Sequence, residues 1–180
     1  MSTVNEPENK RNTVTTDNLP LTTFYSGWDT YHRLLTDAIA PLSPEQLALR
    51  ASPDHWSIGM LATHIVGTRA AWFHKWMGVG GADIAELELW DERVEPSRPA
   101  DELVVGFEAS WRMIWDALAG WTPADLGQTF TDPYREVSEQ KTGRLPSRQW
   151  IIWHVIEHDL HHGGEISQVL GMHGLKAPDL

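Results

Sequence analysis

Four of the chain's nine histidines fall within the thirteen residues HVIEHDLHHGGEI, from His154 to Ile166. Neutral imidazole carries a lone pair near pH 7 and is the commonest metal ligand among side chains. Successive residues of an α-helix turn by about 100°, so positions four apart stand above one another on one face. His154, His158 and His162 have that spacing, whereas His161 points elsewhere.

A divalent metal needs lone pairs that converge from different directions, at about 2.0–2.1 Å for imidazole nitrogen. An H-x-x-x-H pair on one turn supplies two ligands, and a second helix must supply the third. His158 and His162 form the pair. His64 is the best third ligand because it sits mid-helix between Leu61, Ile65 and Thr68. Burying unpartnered imidazoles is costly, and a shared ion removes that cost. Three protein ligands leave a position for water or substrate, the arrangement of a catalytic rather than a structural site. A lone H-x-x-x-H is more often a surface accident than a ligand pair, so the third histidine carries the weight. His154 has two readings: it completes the pair with His158 instead, or it hydrogen-bonds one turn below the site. Asp159 and Glu165 read as solvated or supporting carboxylates, and neither has the spacing of a general base. His32, His55, His74 and His173 fall near helix ends or loops and are expected in solvent.

The elements that position these residues are helical. Phe24, Trp28, Tyr31, Leu34, Leu35, Ala38 and Ile39 recur at three- and four-residue steps and predict a helix over 21–40. Ser43, Pro44 and Gln46 spell a capping box for a short helical turn. Ile58, Leu61, Ile65, Trp72 and Trp76 predict a second long helix over 57–77 that stops at Gly78. The glycine- and proline-punctuated stretch that follows reads as an irregular crossover. Leu103, Phe107, Trp111, Ile114, Trp115 and Leu118 predict a third helix over 100–120, and Pro146 and Ser147 open a fourth over 147–171. Gly163 and Gly164 inside it each cost about 1 kcal/mol relative to alanine, which suggests that something packs close to that turn.

A faint internal repeat runs through the chain. APLSPEQL…WSIGMLATHIV and AGWTPADL…PSRQWIIWHVI share the order helix end, capped proline turn, loop and helix. His64 lies seven residues after Ser57, and His154 seven after Ser147. Two such halves would set the second and fourth long helices in equivalent places, with their histidine faces close together. No strand pairs interrupt the pattern, so the fold class is all-α, a bundle of four long helices.

Composition narrows the rest. A chain of 180 residues with 41% hydrophobic and 22% charged residues is sized and balanced for one globular domain. Residues 1–20 read as a disordered polar lead without the apolar core of a signal peptide, 21–172 as the bundle and 173–180 as a tail. No apolar run approaches the roughly 18 residues of a membrane span. With no cysteine, disulfides, thiolate metal sites and cysteine nucleophiles are excluded, and a cytoplasmic setting is expected. A net charge of −11 without a basic stripe argues against nucleic-acid binding. The ten tryptophans are most simply core, with some left to line a pocket or pack between subunits.

WSIGMLATHIV, a long crossover and then WHVIEHDLHHGGEISQVL together resemble the DinB-like family, which includes YfiT-type proteins, over residues of about 21–172. The resemblance implies an up-down-down-up four-helix bundle with a long crossover between its second and third helices, often a homodimer. It also implies one divalent ion, of the nickel, zinc or iron type with zinc the default, held by His64, His158 and His162. An arginine commonly follows the last ligand in such proteins, and Gly163 stands there in this chain. Relatives of this kind include transferases and isomerases that use low-molecular-weight thiols such as bacillithiol or mycothiol. The resulting expectation is a metal-dependent S-transferase acting on a small electrophile. Metal-assisted hydrolysis and a non-catalytic, stress-related metal- or ligand-binding role are the alternatives.

Overall fold

The computed structural model describes residues 16–135 and 145–178, and all regular elements among them are helical. Residues 1–15 of the expected polar lead lie outside the described residues. Leu21, the first residue of a 3₁₀ turn, is buried and donates its amide N–H to the carbonyl of Trp121 at 2.8 Å.

Among the described residues six α-helices follow: α1 (Ser26–Ile39), α2 (Pro44–Leu47), α3 (Ile58–Ala70), α4 (Ala82–Glu88), α5 (Ala100–Gly120) and α6 (Arg148–Met172). The predicted first helix starts late because Leu21–Thr23 forms a separate 3₁₀ turn, which leaves Phe24 exposed outside α1. The second predicted helix is α-helical only to Ala70 and continues as a π-helical segment, Ala71–Trp76. The crossover, read as irregular, contains α4. Its seven residues are too few for a periodic signal, and Gly80 and Gly81 in front of them read as loop.

Local chemistry explains where the elements begin. The Ser43 Oγ accepts from the Gln46 amide at 3.3 Å, and the Gln46 Oε1 accepts from the Ser43 amide at 2.9 Å. Thr122 and Asp125 form the matching box before the 3₁₀ turn Pro123–Gly127. Ser57 caps α3 by accepting from the Met60 amide, as Ser147 caps α6 by accepting from the Trp150 amide. Each of these serines also forms an isolated antiparallel bridge with the segment before it, Arg50 with Ser57 and Thr129 with Ser147. The internal repeat is therefore visible feature by feature at the entries to α3 and α6.

α3 lies at the centre, in contact with α4, α5 and α6. A helix that is apolar all round is buried all round. Within Ile58–Ala70 every residue is buried except His64, so solvent reaches this helix at the one side chain that offers a ligand. Leu35, Ile39, Ile65, Val66, Phe73, Phe107, Ile114, Ile152 and Val155 close the core around it with no exposed surface.

A buried polar network crosses the helices through Asp159, the residue after His158, and Arg69, the residue after Thr68. The Arg69 Nε and Nη2 donate to the Asp159 carboxylate at 2.7–3.2 Å, and both side chains are fully buried. The Trp28 Nε1 adds a third donor to that carboxylate at 2.8 Å. Asp159, expected as a solvated or supporting carboxylate, is thus the buried counter-ion of Arg69.

The expectation of a solvated His32 is also corrected. It is 1% exposed and stacks on Trp111 with ring centroids 4.8 Å apart. Arginine has no acceptor atom, so the Arg69 Nη1 donates to the His32 Nδ1, which sets the imidazole proton on Nε2, facing Glu108 at 3.6 Å. Burial, followed by the charges of Arg69 and Arg33, lowers the His32 pKa to about 3 from 6.5. Half-exposed Glu108 is too well solvated to reverse this.

A pH dependence follows. Between pH 6.5 and 3 the unfolded chain binds a proton at His32 that the folded chain does not, so stability falls as pH drops through that window. At pH 5 the loss from His32 is about 2 kcal/mol, at about 1.36 kcal/mol per unit. Urea unfolding at pH 7.5 and pH 5 should show a difference that shrinks by about that amount in His32→Asn. An unchanged difference would show that His32 is protonated in the fold.

No helix among the described residues is long and apolar enough to cross a membrane.

Candidate metal centre

The packing of α3 on α6 brings His64, His158 and His162 together, with one ring nitrogen of each inside a mutual separation of 4.8 Å. The His64 and His158 Nε2 atoms are 2.9 Å apart. Ring centroids within the trio lie 4.4–4.9 Å from one another.

What stands behind the rings decides what they offer. The His64 Nδ1 is held in a very short hydrogen bond by the Asp91 carboxylate. The His162 Nδ1 is held by the Glu165 Oε2 at 2.6 Å. An ionised carboxylate only accepts, so both rings place a proton on Nδ1 and leave Nε2 as the atom available to a ligand site. Burial, followed by the neighbouring His162 and His64, pushes the His158 pKa down to about 2, so that ring is neutral. Burial also lowers the pKa of His162, against the pull of Glu165. The His158 Nε2 can donate to only one neighbour, and its Nδ1 is buried without a partner among the described residues. The donor set, three converging imidazoles with two of them backed by carboxylates, fits a divalent ion of the zinc, nickel or iron type.

Two further side chains frame the trio. Trp56, just ahead of α3, meets His64 edge-on at 4.9 Å and lies nearly parallel to His162 at 6.5 Å, so it covers one side. The Thr68 hydroxyl sits 3.3 Å from the His158 Nε2.

Asp91 and Trp56 were not anticipated. Asp91 is 27 residues from His64 in sequence, in the crossover, where no spacing rule applies. The available signal was Gly67. A Cβ at that position would lie 2.5 Å from the Asp91 backbone nitrogen, so only glycine lets the crossover rest on α3 one turn from His64. A mid-helix glycine signals a close approach without naming what approaches.

The other histidines separate cleanly. His154 stays outside the trio and stacks on Trp150 with centroids 4.9 Å apart. His161 is exposed, as its direction required. His55 and His173 are exposed as expected, while half-buried His74 bonds Glu88 through Nδ1 at 2.5 Å. The close packing expected at the glycine pair holds at Gly163 and not at Gly164. A Cβ at Gly163 would lie 2.0 Å from the Tyr31 hydroxyl, whereas Gly164 faces open space. Tyr31 of α1 therefore occupies the ground into which an arginine at position 163 would have to project.

Comparison with known proteins agrees with this architecture. The crystal structure of a DinB-like protein from Bacillus cereus ATCC 10987 superposes with a TM-score of 0.66 at 22% identity, over 87% of this chain and 95% of that one. At that identity the likeness speaks for the fold. No curated protein matches. The DinB family model matches residues 10–180, nearly the whole length, and the chain belongs to the DinB family.

Proposed function

We propose that the chain is a divalent-metal-dependent enzyme that transfers a low-molecular-weight thiol to a small electrophile, with one ion per chain held by His64, His158 and His162. The observation that carries this reading is the set of three converging imidazoles, two of them backed by Asp91 and Glu165. Zinc is the first choice, and nickel or iron suits the same donors. When bound, such an ion lowers the pKa of a thiol or water at an open position and supplies a nucleophile at neutral pH.

The chain's own residues define the remaining tasks. Asp91 and Glu165 hold the outer imidazole protons and orient the rings. Trp56 shields one side from water, and the Thr68 hydroxyl is a neutral donor or acceptor for a group placed beside His158. Since the chain has no cysteine, the thiol comes from outside and the reaction has two substrates. Sulfur bonds to the electrophilic carbon, the leaving group departs with its electron pair, and the thiol proton passes to solvent. Hydrolysis is less well served, because the two carboxylates adjoining the trio are both engaged by imidazoles. A thiol, with an unperturbed pKa of about 8.5, needs no strong base.

The finer architecture belongs to the same reading: an up-down-down-up four-helix bundle of α1, α3 with its π extension, α5 and α6. Its support is the packing of α1 on α5 and of α3 on both α5 and α6. A cytoplasmic setting, where such thiols stay reduced, fits the cysteine-free composition. A homodimer is proposed from the apolar side chains left exposed along α6 away from the tryptophans, Leu160 and Met172. Light scattering at micromolar concentration should give twice 20.3 kDa, and a monomer mass would dispose of the dimer.

The function is tested with zinc-loaded protein, a chlorinated or epoxide electrophile, and bacillithiol, mycothiol or glutathione in turn. Conjugation should scale with metal occupancy, stop on chelation, and show a pH–rate break below the free-thiol value of about 8.5. Full metal occupancy with no acceleration for any of the three thiols would remove S-transfer. Turnover of an ester or amide panel would then point to hydrolysis, and no turnover to a binding role.

A further inference from the structure

The helix pair that presents the histidines carries a second constellation farther along. On the α3 side, His64, Thr68, Trp72 and Trp76 follow at four-residue steps, the last two in the π-helical segment Ala71–Trp76. On α6, His162, His158, His154 and Trp150 run the same way. Both stripes thus begin in histidine and end in tryptophan.

The ring contacts form a corner. Trp72 and Trp76 stack with centroids 4.8 Å apart, and Trp150 meets Trp72 at 5.6 Å and 66°. His154 borders the end nearest the trio, stacked on Trp150 and edge-on to Trp72 at 4.8 Å, and keeps part of its surface in water. The cleft that Trp72, Trp76, Trp150 and Trp153 line holds about 720 Å³, within the size range of small-molecule sites.

Three features of this cleft point to an occupant. Trp150 and Trp153 leave 47% and 60% of their surface in water, although the core is complete without them. Among the described residues none of the lining side chains is charged, Ser147 and Gln149 are the polar ones, and four tryptophans make the lining chiefly aromatic. The wall also carries a π turn, a rare interruption of α-helical bonding that recurs at functional sites.

We propose that this cleft binds a planar aromatic group of the substrate, whose other end reaches past His154 to His64, His158 and His162. The second half of the statement rests on the trio being the reactive centre. Two aromatic walls at a steep angle suit a flat ring that stacks on one and meets the other edge-on. Eight residues of helix separate Trp150 from His158, about 12 Å at 1.5 Å per residue, so the molecule is elongated.

The test uses the full chain and 2-naphthol, followed by isothermal titration calorimetry. One saturable site per chain is expected. Trp72→Leu and Trp150→Leu should each weaken it roughly tenfold, the loss of an aromatic contact and its buried area. Trp150 is half exposed, so its replacement leaves the fold intact, and circular dichroism checks this. His158→Ala should lose the metal yet bind 2-naphthol within about twofold of wild type, which separates this site from the metal reading. A naphthyl ring joined to a hydroxamate through a tether of about 10 Å should bind zinc-loaded protein at least about tenfold tighter than 2-naphthol, and lose that gain on chelation. Absence of saturable naphthol binding, or indifference to both tryptophan variants, overturns the proposal. So does a wild-type dimer that binds no naphthol and becomes monomeric in Trp150→Leu, which would make the cleft a subunit contact. Retained zinc without the tether gain overturns the reach to the trio.

Discussion

His158→Ala is expected to leave purification with almost no bound metal, and His64→Ala and His162→Ala with less than about a tenth of the wild-type content after dialysis. Two of the three ligands share one turn of α6 and the third comes from α3, so each loss leaves a two-coordinate remnant. His158 has the largest effect because its half-buried ring lies within 3.3 Å of Thr68 and is flanked by both other ligands. Asp91→Asn keeps the trio but removes the charge behind His64, and it should weaken affinity about 10–100-fold. His154→Ala, whose ring belongs to the tryptophan corner, should retain one ion per chain. A thermal readout checks the same assignment independently. Zinc at a hundred times its Kd should stabilise the wild type by about 2.7 kcal/mol and the His158 variant by nothing measurable. Full metal retention in His64→Ala would show that α3 contributes no ligand.

The parts of the molecule that were legible in the sequence are those governed by short-range rules. The entry to α6 is set by Ser147, whose cap and helical period could be read directly, and the range found, Arg148–Met172, differs from the reading by one residue at each end. His158 and His162 were legible because four-residue spacing fixes a face whatever the helix packs against. His64 became legible through its apolar neighbours. Asp91 was out of reach because its place depends on the path of the crossover, which Gly67 permits but does not specify. His32 shows a different failure. It occupies the same helix face as Trp28 and Leu35, four and three residues away, and a polar residue on such a stripe needs a buried partner. That partner, Arg69, lies 37 residues on, and nothing local links the two. Proximity to a helix end was therefore the wrong guide to its solvation.

Arg69→Met and Asp159→Asn should each destabilise the fold by about 3–5 kcal/mol, the usual consequence of leaving one member of a buried ion pair uncompensated. In a chain of this size that lowers the melting temperature by roughly 10 °C. The magnitude follows from geometry. Both side chains are fully buried, three Arg69–Asp159 contacts lie between 2.7 and 3.2 Å, and Trp28 donates to the same carboxylate. An asparagine in place of Asp159 would offer one acceptor oxygen where three donors converge. A methionine in place of Arg69 would leave the buried carboxylate with Trp28 alone. Replacing both partners, as Arg69→Met with Asp159→Leu, removes the two desolvated charges together and should recover more than half of the loss. Arg69 follows Thr68 and Asp159 follows His158 in the chain, so the pair fixes the register of α3 against α6 where the ligands meet. Zinc affinity should accordingly fall in both single variants although neither residue touches the trio's inward nitrogens. Urea unfolding of the wild type, Arg69→Met, Asp159→Leu and the double variant measures the stability coupling, and zinc titration of each measures the register. Single variants that lose less than about 1 kcal/mol would show a hydrated, weakly held pair, and the alignment of the histidines would then rest on the apolar packing of α3 and α6 alone.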